Sequence, residues 1–319
     1  MLLDLISDLQ ESYSILNKRD IQVASQYCSD QTSILLGDDC AAIPDGDGYL
    51  LLATEGISPS LVQTNPWFAG WCSVLVNVSD IYAMAGRPLA VVDALWSQSE
   101  KTAQLLWEGM IAASKALNVP IVGGHTNCHS PYEALSVAIL GRAKHLISSF
   151  QAQPEDILVF VTDLEGKPHP QFSYCWDAAT EADSNVLQRK LNLLPELAEK
   201  GLCDAGKDVS MGGIVGTALM LLETSGCGGI LDLDAIPCPP VLSLKQWLLS
   251  FPSYGFLLSV RPHCVDEVQS CFQSQGLTSA AVGQVTLDPV LKLKSKTESR
   301  VFWDLKNKPL TGFKREVKI

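Results

Sequence analysis

Leu36-Gly37-Asp38-Asp39-Cys40-Ala41-Ala42 sets two adjacent carboxylates directly after a glycine, between an apolar run at Ile34 to Leu36 and an Ala-Ala-Ile run. Gly-Asp-Asp on its own is ordinary turn chemistry. Two acids between apolar segments nevertheless need a counter-charge if they are buried, because a desolvated carboxylate is costly when left alone. The metal reading therefore depends on whether further acids and glycine loops occur where they can converge on this pair.

Downstream, Asp45-Gly46-Asp47-Gly48 predicts a hairpin turn. The run from Ile34 to Leu36 reads as a short strand before it. Tyr49 to Thr54 reads as the returning strand, apolar enough to be buried on both faces, and ends at Thr54-Glu55-Gly56. Trp67, Gly70, Trp71, Val74, Leu75, Val78, Ile81, Tyr82 and Ala85 recur at helical spacing, so Pro66 to Gly86 reads as a long buried helix that stops at Gly86 before Pro88. Ser73, Asn77 and Asp80 fall on one face of that helix. A strand over Leu89 to Leu95, a helix over Glu100 to Leu117, and strands over Val119 to Val122 and Leu135 to Gly141 complete an α+β half with a mixed sheet. The loop Gly123-Gly124-His125-Thr126-Asn127 follows the Val119 to Val122 strand, and its two glycines would let backbone approach a ligand.

Residues 1–30 read as an N-terminal helix and linker, 31–150 as the first domain and 151–319 as an α/β second domain. In the second domain, strands are expected over Ile157 to Val161, Gly229 to Leu233, Gly255 to Val260 and Ala280 to Val285. Helices are expected over Ser184 to Lys200, Ile214 to Ser225, Gln246 to Phe251 and Val265 to Gln275. Asp163 to Asp177, with His169 and Tyr174, reads as one long irregular surface loop. Lys207-Asp208-Val209-Ser210-Met211-Gly212-Gly213 precedes an apolar helix, and a glycine pair there would offer N–H groups to an anion. Val301 to Ile319 reads as a short, basic end.

The chain has 319 residues, 47% of them hydrophobic and 18% charged, and a formal net charge of -12. That is enough chain for two compact halves with large cores. The acidic balance argues against a nucleic-acid surface but not against nucleotides, which Mg²⁺ and backbone N–H groups can hold. Ten cysteines without metal spacing read as reduced thiols of a cytoplasmic protein. The N-terminus lacks the basic and apolar regions of a signal peptide, and no apolar run reads as a membrane span.

Acid or glycine-rich loops thus follow apolar elements at Asp38/Asp39, Glu55, Asn77/Asp80, Gly123/Gly124 and Asp208, with no Ser-His or Cys-His arrangement. This suits phosphoryl transfer by positioning and metal electrostatics. GDDCAA, LLATEGI, VNVSDIYAMAGRPLA, VGGHT and DVSMGG, in that order, resemble the AIR synthase (PurM-like) superfamily over about residues 34 to 290. That superfamily includes aminoimidazole-ribonucleotide synthase, thiamine-monophosphate kinase, selenophosphate synthetase and a hydrogenase-maturation carbamoyl dehydratase. The resemblance implies a homodimer in which the sheets of the first halves pair, with Mg²⁺ and ATP bound and a small-molecule acceptor. It implies metal binding by Asp38, Asp39, Glu55, Asp80 and Asp208. It also implies nucleotide or phosphate contacts from Asn77, Gly123, Gly124, His125, Thr126, Ser210, Gly212 and Gly213.

The departures from the pattern bear on substrate. Glu55 stands where Asp is usual and moves the carboxylate by about one C–C bond, roughly 1.5 Å, against metal-ligand tolerances of about 0.2 Å. Met211 replaces a second acid, and Ser58-Pro59 and Pro252-Ser253-Tyr254-Gly255-Phe256 differ from the thiamine-monophosphate kinases. The reactive Cys-Lys segment of selenophosphate synthetases and the C-terminal cysteine of the hydrogenase-maturation proteins are not evident. The expected activity is an ATP- and Mg²⁺-dependent phosphotransferase or synthetase of unassigned acceptor. The alternatives are a thiamine-monophosphate kinase-like activity and a non-catalytic nucleotide-binding subunit.

Overall fold

The computed structural model describes residues 2–28, 34 and 36–314. In chain order these form α1 (Leu2–Gln10), α2 (Tyr13–Leu16), α3 (Ile21–Cys28), β1 (Ala41–Asp45), β2 (Gly48–Gly56), α4 (Pro59–Thr64), α5 (Pro66–Ala83), β3 (Arg87–Trp96), α6 (Glu100–Leu117), β4 (Ile121–Asn127) and β5 (Ala134–Ala143). There follow β6 (Ile157–Thr162), β7 (Lys167–Pro168), β8 (Cys175–Asp177), α7 (Ser184–Glu199), β9 (Ala205–Asp208), α8 (Gly213–Ser225), β10 (Gly228–Asp232) and α9 (Leu244–Leu248). The last are β11 (Phe251–Pro252), β12 (Gly255–Val260), α10 (Val265–Gln273), β13 (Thr278–Thr286), β14 (Val290–Ser295) and β15 (Glu298–Asp304). They fall into two compact units. One comprises Met1–Asp39, Leu146–Ala178 and Leu197–Ile319, the other Cys40–His145 and Ala179–Glu196. Each has a mixed sheet and helices, the α/β character expected.

In the unit of Cys40–His145 and Ala179–Glu196, a five-stranded sheet runs β1-β2-β5-β3-β4. β3 and β4 are parallel and the other neighbours antiparallel. β1 and β2 close on the predicted turn, with Asp45 opposite Gly48. The first strand of the hairpin thus follows the acid pair rather than preceding it. Ile34 is in a bend, Leu36 is in no regular element, and residue 35 of the expected strand lies outside the described residues. α5 and α6 pack together and α5 lies along β2, β3 and β5. They bury Leu51, Val91, Val137 and Ile139. The alternate residues Leu52, Val92 and Leu140 remain exposed. β2 is therefore apolar on both faces but covered on one, which corrects the expectation of a doubly buried strand.

α5 ends earlier than expected. Ala85, at φ 60°, takes the left-handed position after the helix. Its N–H donates to Tyr82 O at 2.9 Å, and the Gly86 N–H donates to Ile81 O at 2.8 Å. This is the two-bond C-terminal motif that satisfies orphan carbonyls. Gly86 is required for another reason: a Cβ there would lie 2.9 Å from Ile81 Cγ2 and 3.0 Å from Ile81 O, and against Leu51. In β4 the glycine pair is strand, not loop, because Gly123 and Gly124 continue the parallel ladder opposite Val92 and Asp93.

In the other unit a seven-stranded sheet runs β15-β14-β10-β13-β6-β12-β9, with only β10 and β14 parallel among the described neighbours. α8 is buried along nearly its whole length. Leu2, Ile6 and Leu9 of α1 and Ile15 of α2 join its core. The Gln10 side chain donates to Phe302 O of β15. The start of the chain is thus a core element here; residues 29 and 30 of the expected linker lie outside the described residues. The segment Asp163 to Asp177 is not one irregular loop, since β7, β8 and β11 form a small sheet. The basic end also begins as structure. β14 and β15 form a hairpin, with Leu291 and Leu293 inside and Lys292 and Lys294 between them, while residues 315–319 lie outside the described residues. Glu223 of α8 is buried and clamps the chain just after β15. Its carboxylate accepts from Leu310 N, Thr311 N and Thr311 Oγ1, each at 2.7 Å, and from Gly312 N at 3.3 Å.

Candidate metal and nucleotide site

The acid pair begins at Gly37, whose φ of +107° suits glycine. A Cβ there would lie 2.5 Å from Phe313 Cβ, so the Phe313 ring takes the space a side chain would need. Asp38 and Asp39 then turn to different partners. The Asp38 carboxylate accepts from Ser148 Oγ at 2.6 Å and from Ser149 N at 3.1 Å, and also from the Asp39 N–H at 3.1 Å. It is committed to fixing the 148–149 turn. Asp39 forms an ion pair with Lys207 and accepts from Asp208 N at 3.3 Å. A carboxylate oxygen of Asp39 lies within 4.8 Å of one of Asp208.

The Lys207 and Asp39 side chains are only 6% and 4% exposed. Burial first, then the charges of Asp208 and Asp38, push the Asp39 carboxyl up to about 8 against the pull of Lys207. Burial pulls Lys207 down, but Asp39, Asp38 and Asp208 outweigh it and hold the ammonium above its usual range. The carboxylates of Asp38, Asp39 and Asp208 act on one buried cation, so the cluster favours additional positive charge. Hard oxygens with excess negative charge fit a divalent ion.

The loop after Asp208 is less open to phosphate than its glycines suggest. The Gly213 N–H donates to Ser210 O at 2.9 Å, closing its own turn. Ser210 Oγ accepts from Lys18 Nζ at 3.1 Å. Gly212 is the N-cap residue of α8, with φ 101°.

In the unit containing α5, Ser73, Asn77 and Asp80 are all buried on the helix. Ser73 Oγ donates to Gly70 O and Asn77 Nδ2 to Ser73 O, both at 2.8 Å. Asn77 Oδ1 has no hydrogen-bond partner among the described residues. Glu55, Gly123, Gly124, His125 and Thr126 are exposed on β2 and β4. The His125 ring lies 5.7 Å from that of Trp96. Asp93 of β3, opposite Gly124, is buried and neither of its oxygens has a partner among the described residues. Burial raises its carboxyl, opposed by the nearby backbone N–H dipole and by His125. A Cβ on Gly124 would collide with that carboxylate, so this glycine makes room for Asp93.

The sequence reading passed over Lys207, Lys18 and Asp93. Lys207 carried a usable signal: a lysine inside the short run Ala205-Gly206-Lys207-Asp208, if strand, is buried beside an acid and requires pairing. Asp93 had one too, as a lone acid within Val91-Val92-Asp93-Ala94-Leu95. Lys18 had none, because only the fold brings it to Ser210.

Residues 37–143 match AIR synthase related protein, N-terminal domain, and residues 159–296 match AIR synthase related protein, C-terminal domain. An uncharacterized protein of Synechocystis sp. is 64% identical over 318 residues, covering 98% of this chain and 99% of its own length. A thiamine-monophosphate kinase of Synechococcus elongatus is 26% identical over 294 residues, 82% of this chain and 88% of the kinase. The solved structure of T. maritima PurL complexed with ATP superposes with a TM-score of 0.75 at 18% identity, over 93% of this chain and 53% of PurL. The chain thus spans about half the length of that protein, and the likeness to it is one of fold.

Proposed function

We propose that this chain, which belongs to the AIR synthase related protein family, binds ATP with Mg²⁺ and uses it for phosphoryl transfer to, or ATP-driven synthesis on, a small molecule. The observation that carries this is the buried Asp39–Asp208 pair, which shares one ammonium and retains excess negative charge. Asp39, Asp208 and Asp80 are the residues we assign to metal. Asp38 holds the loop, and exposed Glu55 acts through water. Bound Mg²⁺ would neutralise phosphate charge as it develops, and the protein's part is positioning. Asn77 Oδ1, the exposed backbone of Gly123 and Gly124, and His125 with Thr126 are the nucleotide or acceptor contacts. Ser210 with Lys18, and Gly212, are the contacts we assign on the phosphate side.

A thiamine-monophosphate kinase-like reaction is the second reading, favoured by the similarity to the Synechococcus enzyme over 82% of this chain. We also assign a homodimer through the uncovered face of the five-stranded sheet. Leu52 lies opposite Leu140, and Val92 is on the same face. An apolar sheet face left in water is a common mark of an interface.

Isothermal titration with the non-hydrolysable analogue AMPPCP, with and without Mg²⁺, tests the nucleotide reading. Binding should require Mg²⁺. An ATP turnover assay on a panel of small acceptors that includes thiamine monophosphate follows. Failure to bind nucleotide in Mg²⁺ rejects the proposal, and binding without turnover on any acceptor favours a non-catalytic subunit.

A further inference from the structure

We infer that Lys207 is a built-in cation, occupying among Asp38, Asp39 and Asp208 the place that a further divalent ion would fill; this rests on the Mg-nucleotide reading above. The Lys207 ammonium is paired with Asp39, and both side chains are almost wholly withdrawn from water. Its backbone is fixed, since Lys207 pairs with Leu257 in the ladder between β9 and β12. Asp38 is turned away to Ser148 and Ser149. Asp39 and Asp208 bring carboxylate oxygens within 4.8 Å of each other. Once an ion displaces the Asp39 proton, three carboxylates and one ammonium leave a net charge that a single divalent ion balances. With the ammonium gone, the same carboxylates hold the donors and the charge for more.

Two consequences follow. Free metal competes with Lys207 for Asp39, so the protein binds divalent ions weakly until nucleotide phosphates add their own oxygens. Substitution by a neutral chain of similar length removes the competitor. A neighbouring charge alters a carboxylate's affinity for a proton by about tenfold or more, and a divalent ion carries twice the proton's charge, so Lys207→Met should bind free Mn²⁺ at least about tenfold tighter than the parent, or with one more ion per chain. Lys207→Arg, which keeps the charge, should bind as the parent does.

The measurement is a titration of each purified protein with Mn²⁺ alone, following the electron paramagnetic resonance signal of the free ion, with circular dichroism as a check on folding. Equal or weaker Mn²⁺ binding by folded Lys207→Met overturns the inference. If that variant is unfolded in metal-free buffer, recovery of the native spectrum on adding Mn²⁺ supports it, and no recovery overturns it. A parallel titration with Mg²⁺ and AMPPCP separates the two ideas. If the parent does not bind nucleotide, the proposed function fails, while the Mn²⁺ comparison still reads the role of Lys207.

Discussion

Asp39 shows at the scale of one residue what crowding buried carboxylates does to stability. Its carboxyl in the fold is pushed up to about 8 by burial, then by Asp208 and Asp38, with Lys207 opposing. The folded value lies above the unfolded one, near 3.9. The contribution of Asp39 to stability is therefore complete below about pH 4 and is lost as pH rises towards about 8. Lys207 is held above its ordinary value as well, so its contribution persists through that window. The metal-free protein should accordingly lose melting temperature between about pH 5 and pH 8, and Asp39→Asn should flatten that decline. Calorimetry across this range checks it, and parallel profiles for the two proteins would show that Asp39 is not the group responsible. The acid pair was legible because Gly-Asp-Asp stands out between apolar runs. The division of labour within it was not: which of two adjacent acids meets Lys207 and which meets Ser148 depends on segments more than a hundred residues away.

At the scale of elements, what could be read was what local periodicity determines. α6 begins and ends as expected, because Ser99 caps its N-terminus through the Thr102 N–H and Asn118 supplies a left-handed stop. α5 was misjudged at its end because a glycine is the usual left-handed residue, and here it stands one position too late. Ala85 bears that conformation, at a cost of about 1–2 kcal/mol for a residue with a Cβ. Ala85→Gly should relieve part of that strain and stabilise the protein by about 0.5–1 kcal/mol. A rise in the urea midpoint with unchanged slope would show it, and a fall would mean that the Ala85 methyl makes packing contacts worth more than the strain. The β4 glycines misled for a related reason. Glycine pairs signal loops, but Gly124 is strand backbone stripped of a side chain to admit Asp93. β14 was missed although Val290-Leu291-Lys292-Leu293-Lys294 alternates at strand period, with its lysines as the outward half of the pattern.

On the scale of the molecule, the order of motifs carried the family. The grouping of segments was beyond sequence reading, since helices at the start of the chain pack with strands near its end through contacts that no local pattern encodes. Among the described residues no helix is long and apolar enough to cross a membrane. The uncovered sheet face gives the clearest test at this level. In a symmetric dimer any substitution there occurs twice, on mutually facing surfaces. Leu52→Lys should raise the dimer dissociation constant by at least about tenfold, a cost of about 1.4 kcal/mol, without unfolding the monomer, since Leu52 is 47% exposed. Sedimentation equilibrium reads this directly; a parent protein that sediments as a monomer, or a variant that associates as the parent does, would rule the face out.

Phe313 fills the space beside Gly37, and Glu223 holds the three residues that deliver it there. A nascent chain leaving the ribosome exposes the acid pair long before Phe313. The loop bearing Asp38 and Asp39 consequently waits, without its final wall, through the synthesis of nearly everything between them. A ribosome-stalled intermediate halted at residue 305 would carry every carboxylate of the site and still lack the piece that seats the first two.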